Sequence, residues 1–419
     1  MLTPFEVIAI LLSATAIFSW FNLRTVTLPN TIALLLLGLL ASLSLLVLDR
    51  TLPANSISAT LENMLQKLNF ENLVMHGLLP FLLFAGALQV DVEKLYHRWV
   101  GVGSLATIGV FVSAIVVAAG LWGAASLLAV PLSFAWCFVF GALIAPTDPV
   151  AMLAVLKSIQ VPESLKVDLT GETLFNDGIG VVLFILALRF ATGGDTSLGS
   201  VAGLFFLEAG GGAFLGLAVG YAGYHALKSI DDYAVEIVIS LGVVTATYAI
   251  ADRIGVSGPI SVVVAGVLLG HRGRQRAMSR TTRNYLFGFW QLIDHVLNSV
   301  LFLLIGLETV TIGIEAVSAY LAIAAVAIVI FARFVAVSGA VLILNTLTRV
   351  QSFPRGSVVV LTWGAVRGAI PVALALSLPE GNERPYILAA TYATVLFSVV
   401  VQALTLRRVV VATVPGSEQ

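Results

Sequence analysis

The chain has 419 residues, of which 59% are hydrophobic and only 11% are charged, against roughly a quarter charged in an ordinary soluble domain. Its 22 Lys and Arg against 23 Asp and Glu leave a formal net charge of -1, so there is no basic excess of the kind that points to nucleic acid as a partner. This composition specifies an all-α polytopic membrane protein, because a helix needs about 20 apolar residues to cross the hydrocarbon core.

In chain order, thirteen segments meet or approach that length, near residues 5–22, 28–48, 72–90, 100–128, 134–155, 165–192, 200–228, 233–252, 257–271, 288–310, 316–345, 356–377 and 385–410. The ninth is the shortest. The first, within MLTPFEVIAILLSATAIFSWFNL, lacks the basic leader and small-residue cleavage site of a signal peptide and is expected to be a retained span. The last is followed by a short tail ending VPGSEQ, where no soluble domain is expected. The single cysteine, Cys137, lies inside an apolar stretch and has no intrachain partner.

Lys and Arg are unevenly shared between the connections. Those after odd-numbered spans hold about 15, among them Lys94 and Arg98, Lys157 and Lys166, and the run Arg272, Arg274, Arg276, Arg280 and Arg283; the others hold about 5, namely Arg50, Lys67, Arg189, Arg253 and Arg384. By the positive-inside rule the odd-span loops and the C-terminus are cytoplasmic and the N-terminus is outside.

Two spans carry helix breakers at their centres. In the fifth, Pro146 and Pro149 bracket Thr147 and Asp148; in the twelfth, Gly364, Gly368 and Pro371 surround Arg367. Glycine and proline are common in membrane helices, but interrupted segments at corresponding places in two halves of a chain point to an inverted-repeat transporter whose site lies between the broken helices. The expected organisation is one membrane domain, with spans at about 5–192 and about 233–410 as two inverted six-helix repeats and about 200–228 as the linker helix between them.

The chemistry is expected where charge enters the apolar segments, since an ionised carboxylate at bilayer depth is costly and usually lines a cavity or ion path. GALIAPTDPVAML holds Asp148, and GETLFNDGIGVVLF holds Glu172 and Asp177. Residues three and four apart share a helix face, so Thr173 stacks with Asp177 and Glu172 with Asn176 on an adjoining side. From a start near residue 165, a rise of about 1.5 Å per residue puts Asp177 roughly 18 Å in, close to the bilayer centre. Carboxylate, hydroxyl and freed main-chain carbonyls are hard oxygen ligands, suited to a small alkali ion or a proton and not to a soft metal. The structural alternative is interhelical hydrogen bonding, the usual work of intramembrane Ser, Thr and Asn. It weighs most for Thr173 and least for Asp177.

Arg333 and Arg367 also lie at depth, and each needs a buried anion. Glu172 is the expected partner of Arg333. Where the broken helices cross, Asp148 can offset the positive half-helix N-termini and Arg367 the negative C-termini. Asp177 is then the midplane carboxylate without a fixed counter-charge, able to exchange a proton for a cation. Asp294 and His295, expected at the start of the tenth span, are candidates for an ion funnel or a pH sensor; a water-facing helix-terminal charge is the plainer reading.

The stretches LPFLLFAGALQVD, GALIAPTDPVAMLAVLK, GETLFNDGIGVVLF, SGPISVVVAGVLLG, LIDHVLNSVLFLLIGLE and LTWGAVRGAIPVALALSLP together resemble the monovalent cation:proton antiporters of the NhaP and sodium/proton exchanger branch. The resemblance implies a thirteen-helix inverted-repeat fold with crossed broken helices, a homodimer in the plasma (inner) membrane, and alternating access by a six-helix core moving against a dimerisation domain. It implies that Asp177 binds Na+ or the proton beside Asn176, with Thr173 and Thr147 as further cation contacts, Asp148 as the acid of the crossing, and Glu172 with Arg333 as a stabilising pair. Many bacterial relatives read LLFEGAL where this chain has Ala85, a departure that bears on selectivity or affinity. Relatives with an Asp-Asp pair move more protons per cation, so Asn176 implies electroneutral exchange.

A cation channel and a potassium/proton antiporter are the alternative transport readings. An intramembrane protease is disfavoured by the lack of His-Glu-x-x-His, Gly-x-Gly-Asp or a Ser paired with a buried His, and a primary pump by the lack of a phosphate-binding Gly-x-x-x-x-Gly-Lys-Ser/Thr loop. No cofactor is expected beyond the transported Na+ and H+.

Overall fold

In the computed structural model the described residues are 4–51, 72–148, 161–193, 198–308, 316–347 and 353–414, and they contain helices and turns but no strand. The first helices are α1 (Pro4–Thr25), α2 (Asn30–Thr51) and α3 (Leu79–Leu88), the last entered through a π-helical turn at Leu73–Leu78. After the short helix Val92–His97 come α4 (Val110–Leu127), α5 (Phe134–Leu143), α6 (Glu163–Ala191) and α7 (Gly211–Lys228). Then follow α8 (Tyr233–Ile254), α9 (Gly258–Leu268), α10 (Arg280–Glu308) and α11 (Ala316–Leu347). The chain closes with α12 (Ser357–Trp363), α13 (Ala369–Leu376) and α14 (Arg384–Phe397), which runs on to Thr413. Among the described residues, eight helices are long and apolar enough to cross a membrane, and shorter apolar helices lie at Asn30–Leu45, Leu73–Leu88 and Phe134–Leu143.

The helices sort into two bundles. One consists of α4, α5, α6, α11 and α12 to α14; the other of α1, α2, α3 and α7 to α10. They meet mainly where α6 passes α9 and where α13 approaches α10 and the turn before α3. In the second bundle Trp290 is fully buried, its ring 4.7 Å from Phe84 and its Nε1 donating to Ser240 Oγ at 3.0 Å. Burying the indole with its polar hydrogen satisfied makes this a firm contact between α3, α8 and α10.

α10 begins eight residues before the 288 expected from hydropathy, at Arg280. Arg280, Arg283 and Asn284 lower the local hydropathy, yet Thr282, Leu286 and Trp290 recur at four-residue spacing and are all buried. That stripe packs the first turns on α8 and extends the helix. Asp294 and His295 are therefore in mid-helix, not at a helix start, with Asp294 roughly 21 Å along at 1.5 Å per residue.

α2 and α10 touch backbone to backbone. A Cβ added at Gly306 would come within 2.8 Å of Leu39 N, and one at Gly38 within 2.8 Å of Leu303 O. Gly306→Ala should lower unfolding stability in detergent by about 1–3 kcal/mol, whereas Gly242→Ala, with nothing within 4 Å of the added carbon, should be neutral or stabilising. Equal melting temperatures for the two variants would contradict this packing.

Candidate ion-binding site

Two helices stop inside the protein. α5 ends at Leu143 and the chain runs on non-helically to Asp148; α12 ends at Trp363 and α13 starts at Ala369. Pro149 and Lys157 lie outside the described residues. The two unwound segments touch, the Asp148 amide donating to Val366 O at 2.6 Å. Arg367, buried, donates from Nη1 to Ala145 O at 2.6 Å and to Pro146 O at 3.2 Å, while its amide donates to Ser398 Oγ at 2.8 Å. A guanidinium thus covers the carbonyl end of α5, where the helix dipole is negative. The Asp148 carboxylate lies beside Gly368 at the start of α13, its Oδ2 3.0 Å from where a Cβ on Gly368 would stand. Negative charge there faces the positive end of that half-helix.

α6 passes this crossing closely, because a side chain on Gly180 would collide with the Pro146 ring. Thr147 sits between two α6 residues: its hydroxyl donates to Thr173 Oγ1 at 3.2 Å and accepts from Asn176 Nδ2 at 3.4 Å. Thr173 in turn donates to Leu169 O at 2.8 Å. Asn176 Nδ2 also donates to Ala145 O at 3.0 Å, so that carbonyl already accepts from Asn176 and from Arg367. Both α6 faces that carry Thr173 and Asn176 therefore meet the unwound segment, and Glu172 alone turns away.

Glu172 is ion-paired with Arg333 on α11, and the two side chains are 1% and 4% exposed. Arg333 Nε and Nη2 are each 3.4 Å from Leu361 O on α12. Asp177 is in no ion pair among the described residues.

A second buried pair escaped the reading of the sequence. Arg98 donates from Nε and Nη2 to the two carboxylate oxygens of Asp168, each at 2.5 Å, and Asp168 is fully buried. Arg98 reads as one more basic loop residue, yet its guanidinium also lies 5.4 Å from the Phe353 ring. The available signal was Asp168 itself, a carboxylate four residues before Glu172 and so on the same face of α6. One turn further out Lys94 pairs with Glu163, whose hydrogen bond and charge raise the Lys94 pKa.

A cavity of about 400 Å³ joins these groups to the other bundle. Thr147, Asp148 and Asp177 line one wall, and Gln291, Asp294, His295 and Asn298 of α10 line the other. Of its lining, Gln89, Gln291 and His295 are exposed, whereas Leu79, Leu83 and Phe302 are buried. Asn298 Nδ2 donates to Asp294 Oδ1 at 2.9 Å. Ala85 is fully buried on α3 and is not part of the cavity wall. The structure thus brings Thr147, Asp148, Thr173, Asn176 and Asp177 together, sets Asp294 and His295 across the cavity from them, and places Glu172, Arg333 and Arg367 behind them.

Residues 9–412 match the sequence profile of the transmembrane sodium/hydrogen exchanger family. The chain belongs to that family. It is 38% identical over 404 residues to the Na(+)/H(+) antiporter NhaP of Pseudomonas aeruginosa, covering 96% of this chain and 95% of that protein. To the Na(+)/H(+) antiporter NhaH of Halobacillus dabanensis it is 35% identical over 384 residues, with 90% of each covered. Its fold is similar to that of the sodium proton antiporter MjNhaP1 from Methanocaldococcus jannaschii at pH 8, with a TM-score of 0.73, 18% identity and 96% of each chain covered. Membership of this transporter family accounts for a cavity whose walls carry the carboxylates Asp148, Asp177 and Asp294.

Removing one member of a buried pair leaves an uncompensated charge, at a cost of about 3–5 kcal/mol. Glu172→Gln and Arg333→Gln should each destabilise the detergent-solubilised protein by that order, and the double variant by less than the sum. Strictly additive losses in a denaturation series would mean that the two side chains do not stabilise each other.

Proposed function

We propose that this chain is a secondary antiporter that exchanges a monovalent cation, Na+ in the first instance, for protons by alternating access, with cation and proton competing for Asp177. The observation that carries this reading is the contrast between the acids of α6. Asp168 and Glu172 are each ion-paired with an arginine, whereas Asp177 lines the cavity and is in no ion pair among the described residues. Thr147 and Thr173 supply hydroxyl oxygens beside it, so a dehydrated cation at Asp177 would meet hard ligands only. Ala145 O, already holding two donors, is left out of that set. Asp148 stays with the crossing, and Asp294 and His295 act as the funnel through which ions approach.

The remaining features follow the same reading. Thirteen spans form two inverted repeats, at about 5–192 and about 233–410, around a linker at about 200–228. The bundle of α4, α5, α6 and α11 to α14 moves as the core against the other bundle, which carries the contacts of a homodimer. With the odd-span loops in the cytoplasm, the exposed cavity residues Gln89 and Gln291 face inward. In the plasma (inner) membrane such exchange serves pH homeostasis. One exchanging carboxylate carries one proton or one monovalent cation, so the cycle is electroneutral; a membrane potential, worth about 2.3 kcal/mol per charge per 100 mV, then multiplies zero net charge.

Asp177→Asn should abolish cation-driven proton flux in proteoliposomes while leaving the melting temperature near that of the wild type, since it keeps the shape and removes the charge. A variant that keeps more than about a tenth of the wild-type rate, ~1.4 kcal/mol of barrier, would rule out Asp177 as the carrier. Flux of Na+ that persists without any opposing proton movement would favour a channel instead.

A further inference from the structure

The turn between α9 and α10 carries charge that the transport site does not use. Arg272, Arg274, Arg276 and Arg280 are exposed and Arg283 is half-buried, and none of the five is in an ion pair among the described residues. Four carboxylates in adjoining segments accept hydrogen bonds from neutral donors. The single Thr282 hydroxyl proton is shared between Asp231 Oδ1, at 3.4 Å, and Glu236 Oε1, at 3.2 Å; Asp232 accepts the Ala234 and Val235 amides, and Glu93 accepts from Gln275 at 2.9 Å.

This basic turn is built, not a loose loop. Gly273 O accepts the amides of both Ala277 and Met278 at 3.0 Å, Ser279 Oγ accepts the Thr282 amide at 3.2 Å, and the Arg274 guanidinium lies 5.5 Å from the Phe287 ring. Beside it Tyr233 and Tyr285, 45% and 55% exposed, stack with ring centroids 4.4 Å apart. Exposed tyrosines at helix ends mark the headgroup level of a bilayer. Arginines at that level face lipid phosphates, whose oxygens match the planar guanidinium fork two at a time.

We propose that the α9–α10 turn is a docking site for anionic phospholipid, with Arg272, Arg274, Arg276 and Arg280 holding headgroup phosphodiesters and the Tyr233–Tyr285 pair seated among the headgroups. The charge complementarity names the occupant: four uncompensated cations at the membrane surface attract an anionic headgroup over a zwitterionic one. Since α10 also carries Asp294 along the cavity wall, lipid held here steadies a helix that lines the ion path.

The test is lipid binding by native mass spectrometry on the full-length protein, titrated with dioleoyl phosphatidylglycerol and with dioleoyl phosphatidylcholine. The wild type should bind phosphatidylglycerol about tenfold more tightly. R272Q/R274Q/R276Q/R280Q should lose that preference, while the fourfold Arg→Lys variant keeps part of it, which separates charge from misfolding. Melting temperature in phosphatidylcholine should be the same for all three proteins. No preference in the wild type, or an undiminished preference in the glutamine variant, would overturn the proposal. Displacement of the lipid by sodium phosphate at matched concentration would also overturn it, by showing a soluble-anion site.

Discussion

A main-chain polar group released by an unwound helix inside a membrane has to find a partner within the protein. Two helices unwind here at one level, and the structure answers that constraint by crossing them. The Asp148 amide meets the Val366 carbonyl, Arg367 takes the Ala145 and Pro146 carbonyls, and the Asp148 carboxylate sits at the start of α13. Everything else about the site depends on this arrangement. It sets Thr147 against α6, it fills the α5 carbonyl end with a fixed cation, and it leaves Thr147 on the same cavity lining as Asp177.

α6 is where the same logic extends outward. Asp168 and Glu172 lie one turn apart, each closed by an arginine from another element, Arg98 before α4 and Arg333 on α11. The pairs tie α6 to its own bundle. Buried pairs contribute little net stability over apolar packing, but breaking one is expensive, so they hold the helix in a single register. α6 presents Asp177 to the cavity, while the contacts across to the other bundle lie mainly at α9, α10 and the turn before α3. That division suits the proposed movement of one bundle against the other.

Much of this was legible because charge is so scarce in the chain. With only 11% of residues charged, Asp148, Glu172, Asp177, Arg333 and Arg367 stand out inside apolar segments, and Pro146, Gly364 and Gly368 mark the breaks among them. The requirement that a buried guanidinium find an anion led directly to the contact between Glu172 and Arg333. The Asp168–Arg98 pair was hidden because an arginine next to polar residues at a span end looks the same whether it points to water or back into the protein. The start of α10 was hidden because hydropathy averages over a turn and erases the buried stripe of Thr282, Leu286 and Trp290. The bridging place of Thr147 could not be read at all, since helical periodicity says nothing about how an unwound segment is rotated. Nor does periodicity reveal that Asp294 on one bundle and Asp177 on the other share a single cavity.

The central claim is that one carboxylate, Asp177, trades one proton for one cation. The most direct measurement is the number of protons released when Na+ binds to the detergent-solubilised protein, obtained by titration calorimetry in buffers of different ionisation enthalpy over a range of pH. At pH values where the carboxyl is protonated, the count should approach one proton per cation and the apparent Na+ affinity should fall about tenfold per pH unit. Binding that releases no proton at any pH, or that releases two, would contradict the account.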